Sequence, residues 1–130
     1  MKLYRYLSRL QSTIYSRREM KVERLVIHLT TALNGQIWGR LRFYDDSLLE
    51  FEEKLTLHDD DIEKIDYRYH YQRADGTLVV RYDNAPHHLG LPGFPNHKHT
   101  RTGVEPAEPP DLSEVLKEID KHLYPTESKI

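Results

Sequence analysis

Four of the chain's eight histidines lie within one stretch, RYDNAPHHLGLPGFPNHKHT, at residues 81–100. Imidazole titrates near neutral pH, so histidine serves as a general acid or base and also as a metal ligand. Pro86, Pro92 and Pro95 exclude a regular helix and indicate a stiff loop. The stretch leaves three interpretations open: acid–base chemistry on a substrate, a metal site, or a polar loop that has no chemistry.

Acid–base chemistry on RNA is the first interpretation. Cleavage through the 2′-hydroxyl needs a base for that proton, an acid for the leaving 5′-oxygen and a cation beside the phosphorane charge. The sequence HKH at 97–99 contains imidazole and a cation together, and an arginine precedes it in the same segment. The candidate catalytic residues are His97, His99, Lys98, His87, His88 and Arg81.

Tyrosines and polar residues near the histidines are candidates for substrate binding. Aromatic rings stack on unpaired bases, and arginines contact phosphates. Two alternatives stay open, because tyrosines that alternate along a strand are also typical of a core wall and Arg81 with Asp83 also fits a structural ion pair. The candidate binding residues are Asp83, Asn84, Tyr69, Tyr82, Arg68 and Arg101.

A metal site is the second interpretation. His97 and His99 are two residues apart, so in an extended segment both rings point the same way. The neighbours His87 and His88 diverge from each other, so at most one of them need join that pair. The alternative ligand set for zinc or another divalent metal is Asp83, His87, His97 and His99. The chain has no cysteine and no HExxH motif, and we predict that it needs no cofactor and is purified without stoichiometric metal.

Composition bounds the class of protein. With 130 residues, the chain has the length of a single domain. No apolar run approaches the length of a membrane span, and arginines interrupt the N-terminal segment, so we expect neither a membrane segment nor a signal peptide. The formal net charge is −2, although residues 1–24 hold seven Lys or Arg against two Glu. A soluble, cytoplasmic protein is expected, and the charge distribution permits a nucleic-acid partner without requiring one.

The predicted elements form an α+β domain. An apolar stripe at helical spacing predicts a basic amphipathic helix over 2–18, and alternating segments separated by short turns predict an antiparallel meander of about five strands. The acidic segment at 58–61 is interpreted as a solvated loop or helix start, and the proline-rich segment at 101–110 as a connector. A capping-box pattern at Asp111 and Glu114 begins a C-terminal helix, which is expected to pack on the apolar face of the sheet.

Three segments follow from this organisation. Residues 1–19 are a basic helical extension, residues 20–125 the α+β domain, and residues 126–130 a tail. We expect the domain to fold without residues 1–19, because a short amphipathic helix adds little net stability after its ordering entropy.

Several blocks resemble the TumE-like family of small bacterial and archaeal proteins. These blocks are RYDNAPHH, FPNHKH, RLRFYDDSLLEFEE, YRYHYQ and LSEVLKEI, and the resemblance spans residues 20–123. Two departures are Asp45-Asp46, where the family usually has Asp-Gly, and Asn96, where it usually has a further histidine. The resemblance implies a toxin of a toxin–antitoxin pair with a helix-turn-helix antitoxin as partner.

The family context favours an action on RNA or translation, and the histidine-rich loop is then an acid–base and phosphate-binding site of a ribonuclease. Two alternatives remain open: a non-catalytic binding or regulatory protein, and a metal-dependent nuclease that uses the histidines. Homo-oligomerisation is also left open.

Overall fold

The computed structural model describes residues 2–125, so Met1 and the predicted tail at 126–130 lie outside the described residues. Within that range the chain forms two helices and seven strands in an α+β arrangement. The helices are α1 (Lys2–Tyr15) and α2 (Leu112–Leu123). The strands are β1 (Met20–Leu29), β2 (Asn34–Phe43), β3 (Leu48–His58), β4 (Asp61–Gln72), β5 (Leu78–Asp83), β6 (His97–Thr100) and β7 (Gly103–Pro106).

The strands form one antiparallel sheet whose spatial order equals the chain order, β1 to β7. The predicted meander is confirmed, but the expected number of about five strands is too low. The two additional strands lie in segments whose prolines favour a loop and a connector. They form because His97–Thr100 returns antiparallel along β5, and Gly103, at φ 144°, then turns the chain back for β7.

The acidic segment at 58–61 is a short, exposed turn between β3 and β4, which agrees with a solvated loop and not with a helix start. His58 pairs with Asp61, and Asp59 and Asp60 adopt φ of 48° and 69°, the left-handed pair that type I′ hairpins need. Asp46 likewise has a φ of 67°. Glycine adopts that conformation at least cost, which accounts for the glycine that the TumE-like resemblance places there.

Both helices cover one face of the sheet, which we call the helix face. The apolar stripe of α1 is buried at Leu3, Leu7, Leu10 and Ile14. It shares a single core with the α2 stripe and with apolar residues of β2 to β5. The predicted helix packing is therefore confirmed, and α1 is part of the core. Neither described helix is long and apolar enough to cross a membrane.

The N-terminus of α2 is fixed by the predicted capping box. Asp111 Oδ1 accepts a hydrogen bond from the Glu114 backbone N at 2.8 Å, and Glu114 Oε1 accepts one from the Asp111 backbone N at 3.1 Å. Two otherwise unpaired backbone donors are satisfied in this way. The cap holds α2 so that its apolar stripe faces the sheet.

A buried carboxylate, Glu53, ties α1 to the sheet. It interrupts the apolar alternation of β3, and its side chain is fully buried. Tyr6 donates to Glu53 Oε1 at 2.5 Å, and Tyr69 donates to Oε2. Lys64 Nζ lies 3.6 Å from the carboxylate and donates to Pro110 O at 2.7 Å. Burial lowers the pKa of Lys64 and raises the pKa of Tyr69. The side chains of this network and the Pro110 carbonyl satisfy one another's hydrogen bonds inside the protein.

The close packing of Phe51 against Gly39 gives a stability prediction. The two residues pair across β2 and β3, and a Cβ at position 39 would overlap the Phe51 ring. Because that ring is buried, Gly39→Ala is expected to lower the free energy of unfolding by about 1–3 kcal/mol. Urea unfolding of the purified variant measures this. In the matched control Gly35→Ala, the nearest atom to the added Cβ is the flexible end of Leu29 at 3.4 Å, an ordinary van der Waals contact. Equal destabilisation in both variants would contradict the steric explanation.

Candidate active site

The face opposite the helices, which we call the open face, carries two adjacent cross-strand rows of residues. Directly paired residues of antiparallel strands project from the same face. Each row runs from β2 to β6 and ends at an imidazole. The first row is Trp38, Glu52, Arg68, Asp83 and His97, and the second is Arg40, Glu50, His70, Arg81 and His99.

Asp83 is the buried centre of the candidate site, with 4% of its surface exposed. Its Oδ1 accepts a hydrogen bond from Ala85 N at 3.0 Å and faces His97 Nε2 at 2.9 Å. Its Oδ2 accepts from Arg81 Nε at 2.9 Å and lies 3.6 Å from His99 Nε2. A buried carboxylate needs such partners, so Asp83 fixes the positions of the three basic side chains around it.

His97 is held on both sides of its ring and is 2% exposed. Nδ1 lies 2.8 Å from the Pro95 carbonyl oxygen, which can only accept, so Nδ1 carries a proton. Nε2 faces the Asp83 carboxylate. Since both nitrogens are engaged and the ring is buried, His97 is placed to position Asp83 rather than to contact a substrate.

His99 is the imidazole that reaches the surface, with 19% of its side chain exposed. Arg81 Nη2 lies 3.1 Å from His99 Nε2. Because a guanidinium can only donate, Nε2 accepts that hydrogen bond and the ring is neutral. Burial lowers the pKa of His99, and the nearby Arg81 charge lowers it further, against the opposing effect of Asp83. The site thus combines a neutral imidazole with a cation whose side chain is 34% exposed.

His88 is the third imidazole, supplied by the loop between β5 and β6. Its ring centroid lies 4.8 Å from that of His97 and 5.5 Å from that of His99. Turn hydrogen bonds within the loop, such as Leu91 N to His88 O at 3.2 Å, hold it in place. We call His88, His97 and His99 the imidazole cluster. Their ligand nitrogens lie within 4.8 Å of one another.

The cluster corrects the predicted metal-ligand set. His87 and His88 diverge as expected, but it is His88 that joins the cluster. His87 is exposed and lines a groove beside it. The alternative set that included His87 is therefore wrong for that residue, since two consecutive side chains of this loop point to different sides.

Lys98, predicted to be catalytic, lies on the opposite side of the sheet. Strand alternation sends His97 and His99 to the open face and Lys98 to the helix face. There Lys98 Nζ lies 3.4 Å from Glu118 on α2 and 5.2 Å from the centroid of the Tyr82 ring. The HKH sequence therefore does not bring its three side chains into one site, and Arg81 is the cation beside the imidazoles.

The two tyrosines predicted to stack on bases also lie on the helix face. Tyr69 is fully buried, and its hydroxyl belongs to the Glu53 network. Tyr82 packs against the core and donates to Glu118 at 2.6 Å. Tyr69 therefore belongs to the wall of the core, as the alternative interpretation had it. Its neighbours in β4, Arg68 and His70, project from the open face, so Tyr69 projects from the helix face.

The other predicted binding residues lie at the border of the site. Asn84 accepts from Tyr67 N at 3.1 Å and donates to Ile65 O at 2.9 Å, which extends the pairing of β4 and β5. Arg68 lies 3.7 Å from Glu52 and lines the groove. Arg101 is exposed in the turn between β6 and β7.

Two residues of the open face were not among the sequence-based candidates. Trp38 is 36% exposed and lines the groove next to the imidazole cluster. His70 pairs with Arg81, and burial together with the charges of Arg81 and Arg68 lowers its pKa. The signal for Trp38 was its alternation with Ile37 and Leu41, which places the chain's one tryptophan on the polar side of β2.

A family model described as Toxin TumE matches residues 9–123. The chain belongs to the Toxin TumE family. The match begins inside α1 and ends with α2, so it contains the imidazole cluster and more of the N-terminal segment than the resemblance at 20–123. No curated protein and no solved structure matches the chain. Membership in the Toxin TumE family supports a toxin role.

Proposed function

We propose that this TumE-family toxin acts on RNA and cleaves a phosphodiester by acid–base chemistry at the imidazole cluster. The observation that carries the proposal is the 3.1 Å contact between neutral His99 and Arg81, beside the buried Asp83. A phosphate bound by the exposed part of Arg81 would lie next to His99. A basic nitrogen and a cation are then within reach of the same phosphodiester, as this reaction requires.

Each side chain has a distinct role in the proposed reaction. When Arg81 turns its Nη2 from His99 to a phosphate oxygen, His99 Nε2 is free to take the proton of the 2′-hydroxyl, and the 2′-oxygen attacks the phosphorus. His88 gives a proton to the departing 5′-oxygen, so the products are a 2′,3′-cyclic phosphate and a 5′-hydroxyl. Arg81 faces the developing phosphorane charge. Asp83 and His97 do not touch the substrate; they hold Arg81 and His99 in place.

An antitoxin is the protein partner that a toxin of this kind requires. We extend the proposal to a helix-turn-helix antitoxin, in line with the TumE-like resemblance. Covering the open face would be the most direct way for it to prevent RNA from reaching the cluster.

A metal-dependent nuclease is the second candidate function. Three imidazoles with ligand nitrogens within 4.8 Å of one another favour it, because three histidines and an open position suit a catalytic zinc ion. Against it, Arg81 lies on His99 Nε2, and His97 Nε2 faces Asp83. An ion would have to displace both contacts, whereas the metal-free reaction needs only that Arg81 turn from His99 to the phosphate, and for this reason the metal-free reaction is our first candidate.

Cleavage of matched RNA and DNA strands tests the proposal. Purified protein is expected to cleave a single-stranded RNA in the presence of a chelator and to leave the DNA of the same sequence intact, because DNA lacks the attacking 2′-hydroxyl. Mass spectrometry of the fragments should find 2′,3′-cyclic phosphate ends.

The other outcomes separate the alternatives. Cleavage that stops with chelator and returns with added zinc would establish the metal-dependent candidate instead. Growth arrest in cells without any RNA cleavage by pure protein would mean that the toxin acts by binding.

A further inference from the structure

A groove on the open face begins at Arg81, next to the imidazole cluster, and extends beyond the residues of the proposed reaction. Its volume is about 470 Å³. Four strands, β2 to β5, and the beginning of the histidine loop contribute its walls. The lining residues that matter here are Trp38, Glu52, Asp66, Arg68, Arg81 and Asn84.

Trp38 is an aromatic side chain in an unusual place. It lies at the β2 end of the first cross-strand row, paired with Glu52, and it is 36% exposed on a face that no described helix covers. An indole ring held on a sheet surface offers a flat face to a ligand ring. Sheet-borne aromatic residues of this kind stack on the bases of single-stranded RNA.

The row from Trp38 leads directly to the proposed catalytic residues. Trp38 and Asp83 are three strands apart, which corresponds to roughly 14 Å at the usual strand spacing. Arg68 lies between them, and Arg81 follows in the adjacent row. A nucleotide stacked on Trp38 would therefore have its neighbouring phosphates along the path from Arg68 to Arg81.

The charge of the groove distinguishes single strands from duplexes. Carboxylates of Glu52 and Asp66 alternate with the cations of Lys54 and Arg68. Such a mixed surface gives little of the counterion-driven affinity that duplex binding depends on. A duplex also keeps its base faces inside the stack, where Trp38 cannot reach them, whereas a single strand exposes them.

We propose that this groove binds a single-stranded RNA segment next to the cleaved phosphodiester, with one base stacked on Trp38. This inference rests on the proposed function, since it names the form of RNA that the same site would accept. Trp38 is then a binding residue that positions the substrate for His99 and Arg81.

The chain's one tryptophan makes the test direct. A single-stranded 2′-O-methyl RNA binds without being cleaved, because its 2′-oxygen has no proton to give. Titration of the wild-type protein with it is expected to quench the Trp38 fluorescence to saturation, and the same strand annealed to its complement is expected to quench little. In a fluorescence-anisotropy assay with labelled oligonucleotide, Trp38→Ala should weaken binding at least about tenfold, while Trp38→Phe should retain most of it.

Tyr15→Ala is the matched control, because it removes another exposed aromatic ring, on α1 and away from the groove. Its binding should equal that of the wild type. If RNA is cleaved but neither quenching nor a Trp38→Ala effect is seen, the groove assignment is wrong and the proposed function stands. Quenching by the 2′-O-methyl strand with no cleavage of RNA would support the groove and refute the reaction. Equal quenching by single strand and duplex, or quenching by antitoxin with none by either form of RNA, would overturn the assignment to single-stranded RNA.

Discussion

Replacing His99 with alanine is expected to abolish growth arrest and to slow RNA cleavage by about 10²- to 10⁴-fold. The reason is that His99 supplies the one neutral, surface-accessible nitrogen that contacts Arg81. Its side chain is partly exposed, so the melting temperature should change little. Growth after induced expression and the initial cleavage rate of the purified protein measure the two effects.

Two further histidine variants show whether the effect is specific to His99. His58→Ala is the matched control, because this side chain is 73% exposed in the turn between β3 and β4, and it should behave as wild type. His97→Ala should slow cleavage and also lower stability by about 3–5 kcal/mol, since it leaves Asp83 buried with one partner fewer. If His99→Ala arrests growth as strongly as His58→Ala, the acid–base role is excluded.

Deletion of residues 1–19 is expected to remove cooperative folding. The sequence alone led us to expect a domain that folds without these residues, but the apolar stripe of α1 is buried in the core. Four side chains of the core would be lost, at about 1.5–3 kcal/mol each, and the part of the helix face beneath them would be exposed. Glu53 would also lose the hydrogen bond from Tyr6. Losses of this size are comparable to the total stability of a small domain, and thermal unfolding followed by circular dichroism measures them.

Point variants on α1 make this prediction testable even if the truncated protein is insoluble. Leu7→Ala is expected to lower the free energy of unfolding by about 2–5 kcal/mol. Tyr4→Ala changes a side chain on the exposed side of the same helix, where 64% of the residue is accessible, and should have little effect. A truncated protein that melts cooperatively near the wild-type temperature would instead support a domain boundary at residue 20.

The sequence predicted the elements whose signals are local. The stripes of α1 and α2, the capping box at Asp111 and the alternation of the first five strands each depend on residues close together in the chain. β6 and β7 could not be found in this way. Each is four residues long, with Pro95 shortly before β6 and Pro106 at the end of β7. The partner strand, rather than the composition of the segment itself, makes each of them extended.

The candidate site was predicted in composition but not in arrangement. Histidines, Arg81 and Asp83 were identified from residue type, yet residue type does not show which face a side chain takes. Alternation within β6 separates Lys98 from its neighbours, and it needs only the knowledge that residues 97–100 form a strand. The choice of His88 over His87 depends on the turns of the loop, which proline positions alone do not determine. That Trp38 lies in the same cross-strand row as Asp83 follows only from the register of four strands, which the sequence does not specify.

The agreement between sheet order and chain order also determines how this protein can fold. Each strand pairs with the one that precedes it in the chain, so nearly every pairing closes a short loop at small entropic cost. Such local topologies fold quickly. Contacts that bridge the chain's ends, such as Arg17 with Asp120 at 2.6 Å, join residues 103 apart and cost more loop-closure entropy. We therefore expect the open face with its cross-strand rows to assemble before α2 docks and closes the helix face.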